Sequence, residues 1–214
     1  MRKIVFFFLF GFSNISLSQE APSPYTHSTD SSSSNQGKQI HGFWGIPFGS
    51  PIAKAKEIIL SKDGTALNKD LSDDSRIVVD GGNFAGRSVF LIVLQFEKDK
   101  LFNASVIFEV KLEARVIDFY EAMKTALNEQ YFVSKKDLRQ FKYPYKDGDG
   151  HETTAIKLGK ARFTAFWEFP KEGAPSDFIN LEISENLHVV LTYQDGKLAT
   201  EAIQKRESKD KQDY

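Results

Sequence analysis

From Arg87 to Phe96 both phases of a two-residue alternation are apolar, with Val89, Leu91 and Val93 on one and Phe90, Ile92, Leu94 and Phe96 on the other. That pattern predicts a strand covered on both sides. The polar run Glu97 to Lys100 then predicts a turn. In the return strand Phe102, Ala104, Val106, Phe108 and Val110 alternate with Asn103, Ser105 and Glu109, so one face of the sheet is core and the other half wet. Asn83 to Val110 therefore reads as a central β-hairpin. Burial of each large apolar side chain stabilises by about 1.5 to 3 kcal/mol, which makes this hairpin the expected folding core.

Two helices are predicted around it. Ser50-Pro51 carries a start signal, a hydroxyl able to cap and a proline at the first helical position. The helix runs from Pro51 to Ser61 with Ile52, Ala55 and Ile59 inward, and stops at Asp63-Gly64. Between Glu113 and Glu129, Val116, Phe119, Tyr120, Met123, Ala126 and Leu127 recur at helical spacing. Strands are predicted over Arg76 to Asp80, Phe132 to Phe141, Thr153 to Leu158, Arg162 to Phe169, Phe178 to Ser184 and Leu187 to Tyr193. The order defines an α+β fold of two layers, an antiparallel sheet with two helices on one face, arranged as two divergent helix-plus-meander units.

Composition bounds the rest. A chain of 214 residues with net charge -1 suits a single domain with appendages and gives no reason to expect nucleic acid as a partner. The N-terminus is basic at Arg2 and Lys3 and apolar from Ile4 to Phe12. Small residues Ser16 and Ser18 stand where a signal peptidase would read them. Residues 1–18 therefore read as a signal peptide. Residues 19–41, rich in Ser, Pro and Thr, read as a disordered linker, 42–196 as the domain and 197–214 as a charged C-terminal tail, a helix expected to dock loosely and fray. The expected location is periplasmic or secreted, with no transmembrane span after processing. Without any Cys the chain offers no acceptor for an N-terminal lipid, no disulfide and no thiolate.

Candidate chemistry is sparse. His151 and Glu152 follow the Asp- and Gly-rich run Lys146 to Gly150, but an EF-hand count from Asp147 puts His151 and Glu152 where a carboxylate and a glycine are needed. A turn accounts better for the run, and no metal or cofactor is expected. His188 points to the wetter face, with Glu182 on the preceding strand as its one plausible orienting carboxylate. Trp44 and Trp167 sit in apolar runs and read as core. Arg87 reads as a partner for a carboxylate. What remains is the second phase of the strands: Asn103, Ser105, Arg162, Thr164, Phe166, Phe178, Asn180, Glu182 and His188. Isolated aromatics among polar groups suit an interface with Phe166 and Phe178 as anchors.

Several stretches carry a resemblance. They are the aromatic-Gly-Ile-Pro-x-Gly-Ser run ending at Ser50, the turn Phe84, Gly86, Arg87 and the strand end Phe96, Asp99, Lys100, Leu101. Trp167 and the later Ile179, Leu181, Val189, Leu191 and Tyr193 complete them. Together they resemble exported bacterial envelope proteins of uncharacterised role and, more distantly, the tandem helix-plus-sheet layout of the β-lactamase inhibitor protein and the outer-membrane-assembly lipoprotein E group. The likeness spans Phe43 to Tyr193; those assembly lipoproteins carry a lipidated Cys that this chain does not have. The resemblance implies an exported envelope protein, and the second phase of the strands makes the expected function a non-enzymatic binding or structural one that takes a protein or peptide on an open sheet face. The alternative is a secreted hydrolase built on His151, Glu152 or His188. Processed protein is expected to begin at Gln19 or within a few residues of it; intact-mass measurement checks this, and a cytoplasmic species retaining Met1 would overturn it.

Overall fold

The computed structural model describes residues 38–210. The predicted signal peptide and all of the predicted linker except Lys38 to His41 lie outside the described residues. Those four residues are held by the domain: the Lys38 ammonium donates to the Gln130 carbonyl at 2.7 Å, and Ile40 is buried.

After a minimal hairpin, β1 (Gly42–Phe43) and β2 (Ile46–Pro47), comes helix α1 (Ile52–Leu60). Four strands follow, β3 (Thr65–Leu67), β4 (Arg76–Gly81), β7 (Leu91–Glu97) and β8 (Lys100–Glu109), with a small separate hairpin of β5 (Asn83–Phe84) and β6 (Arg87–Ser88) between the second and third. A short 3₁₀ turn leads into α2 (Val116–Gln130). Then come β9 (Lys136–Phe141), α3 (Glu152–Lys157), β10 (Ala161–Lys171), β11 (Ala174–Ile183), β12 (His188–Gln194) and α4 (Gly196–Asp210). The main sheet has eight antiparallel strands in the order β3-β4-β7-β8-β12-β11-β10-β9. Each half is thus a helix followed by a four-strand meander, and the halves join by their last strands.

One face of the sheet is packed under α1 and α2. Ile92, Leu94, Val106, Phe108, Trp167, Leu181 and Leu191 are buried there with Ala55 and Ile59 of α1 and Val116, Tyr120, Met123 and Leu127 of α2. The α2 residues fall at i, i+4, i+7 and i+11, one stripe of a helix. The Trp167 indole N–H donates to the Phe132 carbonyl at 2.9 Å and the Asn128 side chain at 3.1 Å, which satisfies its polar atom inside the core. The Tyr120 hydroxyl, also buried, has no hydrogen-bond partner, and burial pushes its pKa upward.

Several local expectations change. Ser50 does not cap α1. The cap comes from Asp99, whose carboxylate accepts the Ile52 N–H at 2.8 Å from the β7–β8 turn. Lys98 and Asp99 both have positive φ there, as a two-residue hairpin with the right twist requires. Phe102 does not share a face with Ala104. Phe96 pairs with Leu101 and Gln95 with Asn103, so Phe102 is the extra residue of a bulge, which puts Leu101 in the core and turns the Phe102 ring to the far face. Residues 153–158, expected as a strand, form the helical turns of α3: Ala155 and Ile156 are buried side by side, and the Glu152 carboxylate accepts the Gly148 N–H at 2.9 Å just before its first turn. Adjacent buried residues are incompatible with a half-wet strand's alternation.

The far face is not left bare at its end. In α4, Ala199 and Ala202 are buried with Phe102, and the helix runs from beside Ser176 to Lys205, whose ammonium pairs with Glu97. The expected loose tail is therefore a packed fourth helix through at least Lys205. No described helix is long and apolar enough to cross a membrane.

Leu94 has no exposed surface and lies on β7 between β4 and β8. Truncation to Ala is expected to cost about 2 to 5 kcal/mol, read as a lower denaturant midpoint at unchanged slope.

Candidate functional site

Strand register places every expected far-face residue on one surface. Across the sheet run two rows of directly paired residues. In the first, Leu91, Ile107, Val190, Glu182, Thr164 and Leu138 are neighbours in turn; in the second, Val93, Ser105, Thr192, Asn180, Phe166 and Lys136. A third begins with Asn103 and Gln194 and continues to Phe178 and Glu168. His188 pairs with Glu109 at one end of β12, and Arg162 with Gln140 at the outer corner.

The centre of this surface differs from the expected open face. Asn103, Ser105, Thr164 and Asn180 are buried, and their polar atoms are spent on one another across the strands. Asn103 donates to Gln194 at 3.0 Å, Ser105 and Thr192 share a hydrogen bond at 3.0 Å, and Thr164 donates to Asn180 at 2.9 Å. Such a satisfied seam fixes strand register and leaves little to offer a ligand. Beside it a small apolar cluster of Val78, Leu91, Ile107 and Val190 has Leu71 and Val93 packed against it. The groups that remain reachable are Phe166, Phe178, Glu182 and His188, all half-buried, and the exposed Arg162. Phe90, missed as a surface residue because it continues an apolar run, is exposed and lies 5.4 Å from the His188 ring.

At the far end of β11 and β12 a charged latch holds α4. The Lys171 ammonium lies 2.7 Å from Asp177 and 2.9 Å from Asp195. Asp177 has no exposed side-chain surface; one of its oxygens accepts the Gly196 N–H at 2.9 Å, and the other is buried without a partner. Asp195 caps α4 by accepting the Leu198 N–H at 2.8 Å. Gly196 passes so close to Ser176 that a Cβ would stand 2.0 Å from its carbonyl oxygen, which only glycine permits. Burial disfavours the charged Lys171, but its hydrogen bonds to the two carboxylates outweigh this and raise its pKa.

The residues of the hydrolase alternative do not converge. His151 and Glu152 sit at the start of α3, which packs its Ile156 into the core under α1 and α2, whereas His188 lies on the far face. Asp149 and Glu152 accept backbone N–H groups of their own loop, from Lys146, His151 and Gly148. Arg87, expected to pair with a carboxylate, instead donates to the Ala85 carbonyl and lies over the Phe119 ring. Trp44 is partly buried against the core with Lys62 over its ring. No family model matches the chain, and neither does any curated protein or any solved structure.

Replacing Lys171 by Met strands the Asp177 carboxylate and is expected to cost about 3 kcal/mol at neutral pH. Because the folded pKa of Lys171 is raised, its contribution is complete below the unfolded value near 10.5 and fades as pH climbs through the folded one. Stability curves of wild type and Lys171→Met should therefore approach each other in alkali; a constant gap would show that the ammonium charge is not what holds the latch.

Proposed function

We propose that the protein is a non-enzymatic binding module of the bacterial envelope that takes a protein or peptide partner on the far face of its sheet. The single observation that carries this is the placement of Phe166 and Phe178. They are half-buried diagonal neighbours on β10 and β11, on the face away from α1, α2 and α3, with Arg162 and Glu182 flanking them along the same strands. Aromatic anchors held by a rigid strand and bordered by charge are what an interface core with a polar rim needs. Beneath them the hydrogen-bonded seam keeps the platform in one register, so a partner meets a preformed surface. Asn103, Ser105, Thr164 and Asn180 then serve the platform, and recognition falls to Phe166, Phe178, Arg162, Glu182 and His188. The compartment follows from the basic, apolar and small-residue order of the first 18 residues.

Phe166→Ala with Phe178→Ala is expected to weaken partner retention from envelope extract by tenfold or more, since hot-spot aromatics contribute about 2 kcal/mol or more each. The melting temperature should stay near wild type because neither ring is fully buried. Retention of every specific partner by the folded double variant would remove this face from consideration.

A further inference from the structure

The corner where β9 meets β10 carries a feature that partner binding uses only through Arg162. A cleft of about 520 Å³ opens there, lined by Gln140, Phe141, Lys142, Gly159, Lys160, Ala161 and Arg162. Register fixes how its charges sit. Arg162 pairs with Gln140 and Ala161 with Phe141, and the Lys142 N–H donates to the Lys160 carbonyl at 2.7 Å, which continues the ladder by one pair. Directly paired residues share a face, so Lys142, Lys160 and Arg162 project from the same side, with Lys142 and Lys160 opposite each other. Like charges placed directly across a ladder are destabilising. No carboxylate lines the cleft, and none of the three cations is ion-paired among the described residues. Arg139, next on the strand, faces the other way, over the Phe163 ring, and is paired with Asp147. Glu185 stands over the Gly159 backbone, where a Cβ would come within 2.8 Å of its carboxylate oxygen, and Glu182, paired with Thr164, is a diagonal neighbour of Arg162.

We infer that this cleft is a binding site for a phosphate-type oxyanion, taken either as a free phosphate compound or as a lipid headgroup. Three positive charges around one small opening exceed what a lone carboxylate would neutralise and match a group carrying two or more negative charges. Arg162 supplies a planar fork for two oxygens and the lysines supply mobile point charges from the adjacent pair. The opening is of the size that holds a small ligand. The inference extends the far-face reading, since Arg162 belongs to both, but Lys142 and Lys160 belong to the cleft alone and it fails separately.

The test uses the full processed chain with inorganic pyrophosphate, followed by calorimetry and amide chemical shifts, and with vesicles of phosphatidylcholine alone or containing phosphatidic acid. Binding should weaken with salt. Lys142→Ala and Lys160→Ala should each weaken it about tenfold, as expected for loss of a charge-assisted hydrogen bond. Glu185→Gln should tighten it, a result that a purely structural role for the corner would not give. Lys54→Ala, the same charge change on α1, should leave it unchanged, as should Phe166→Ala with Phe178→Ala. Binding to phosphatidic acid vesicles without pyrophosphate binding assigns the headgroup as the source, and the reverse assigns the free compound. Failure of both probes overturns the inference, as does a loss in Lys54→Ala equal to that in the cleft variants. Shifts in wild type that avoid residues 140–142 and 159–162 overturn it without any variant having to fold.

Discussion

The pairing of β8 with β12 is the constraint on which the rest of the molecule depends. Each half of the chain is a helix and a four-strand meander, and a meander alone ends in a strand with one unpaired edge. Laying the two last strands side by side removes both of those edges at once and makes a single eight-stranded sheet. It also merges what would be two small cores: Val106 and Phe108 on β8 meet Leu191 and Val189 on β12 beneath α2. Side-chain hydrogen bonds between Ser105 and Thr192 and between Asn103 and Gln194 lie on the opposite face of the same pair, so a slip of one residue would bury unpaired polar groups in place of satisfied ones.

Much of this was legible because it depends on alternation. The apolar phase of Ile92, Leu94, Val106 and Phe108 and the stripe from Val116 to Leu127 are properties of single segments, and a single segment's period can be read directly. So could the shared face of Thr164, Phe166, Asn180 and Glu182. What was not legible required knowledge of a partner. Asp99 caps a helix some 47 residues earlier, which no local motif announces. The bulge that turns Phe102 outward is set by the mismatch between two strands, and the alternation of one of them gives no hint of it. Residues 153–158 carry Thr, Thr and Ile, which favour strands, yet burial of Ala155 and Ile156 together overrode that preference.

The surface was misread for a related reason. Asn103, Ser105, Thr164 and Asn180 are polar, and polarity alone suggests contact with water; their partners sit on the neighbouring strand of the sheet, which for Asn103 and Ser105 comes four strands later in the chain. The tail misled in the opposite direction. It is heavily charged, but Ala199 and Ala202 need only a narrow stripe to dock, and Asp195 and Gly196 ahead of them form a helix start once Lys171 and Asp177 are in place. The corner cations went unnoticed because Lys142 and Lys160 are separated by a loop and a helix, and only the ladder makes them neighbours.

The seam between the halves also sets a schedule. Within each meander, successive strands are joined by connections far shorter than the separation of β8 from β12, the longest being residues 142–160 with α3, so those pairs close at lower entropic cost. The hydrogen bonds that join the halves link residues 87 and 91 positions apart, so they must wait until β12 has emerged and lose chain entropy to close. Until then β8, paired with β7 on one side, presents a long apolar edge on the other. Through that interval the molecule stands as two half-sheets, and α4, which follows β12, seals the end of a surface already joined.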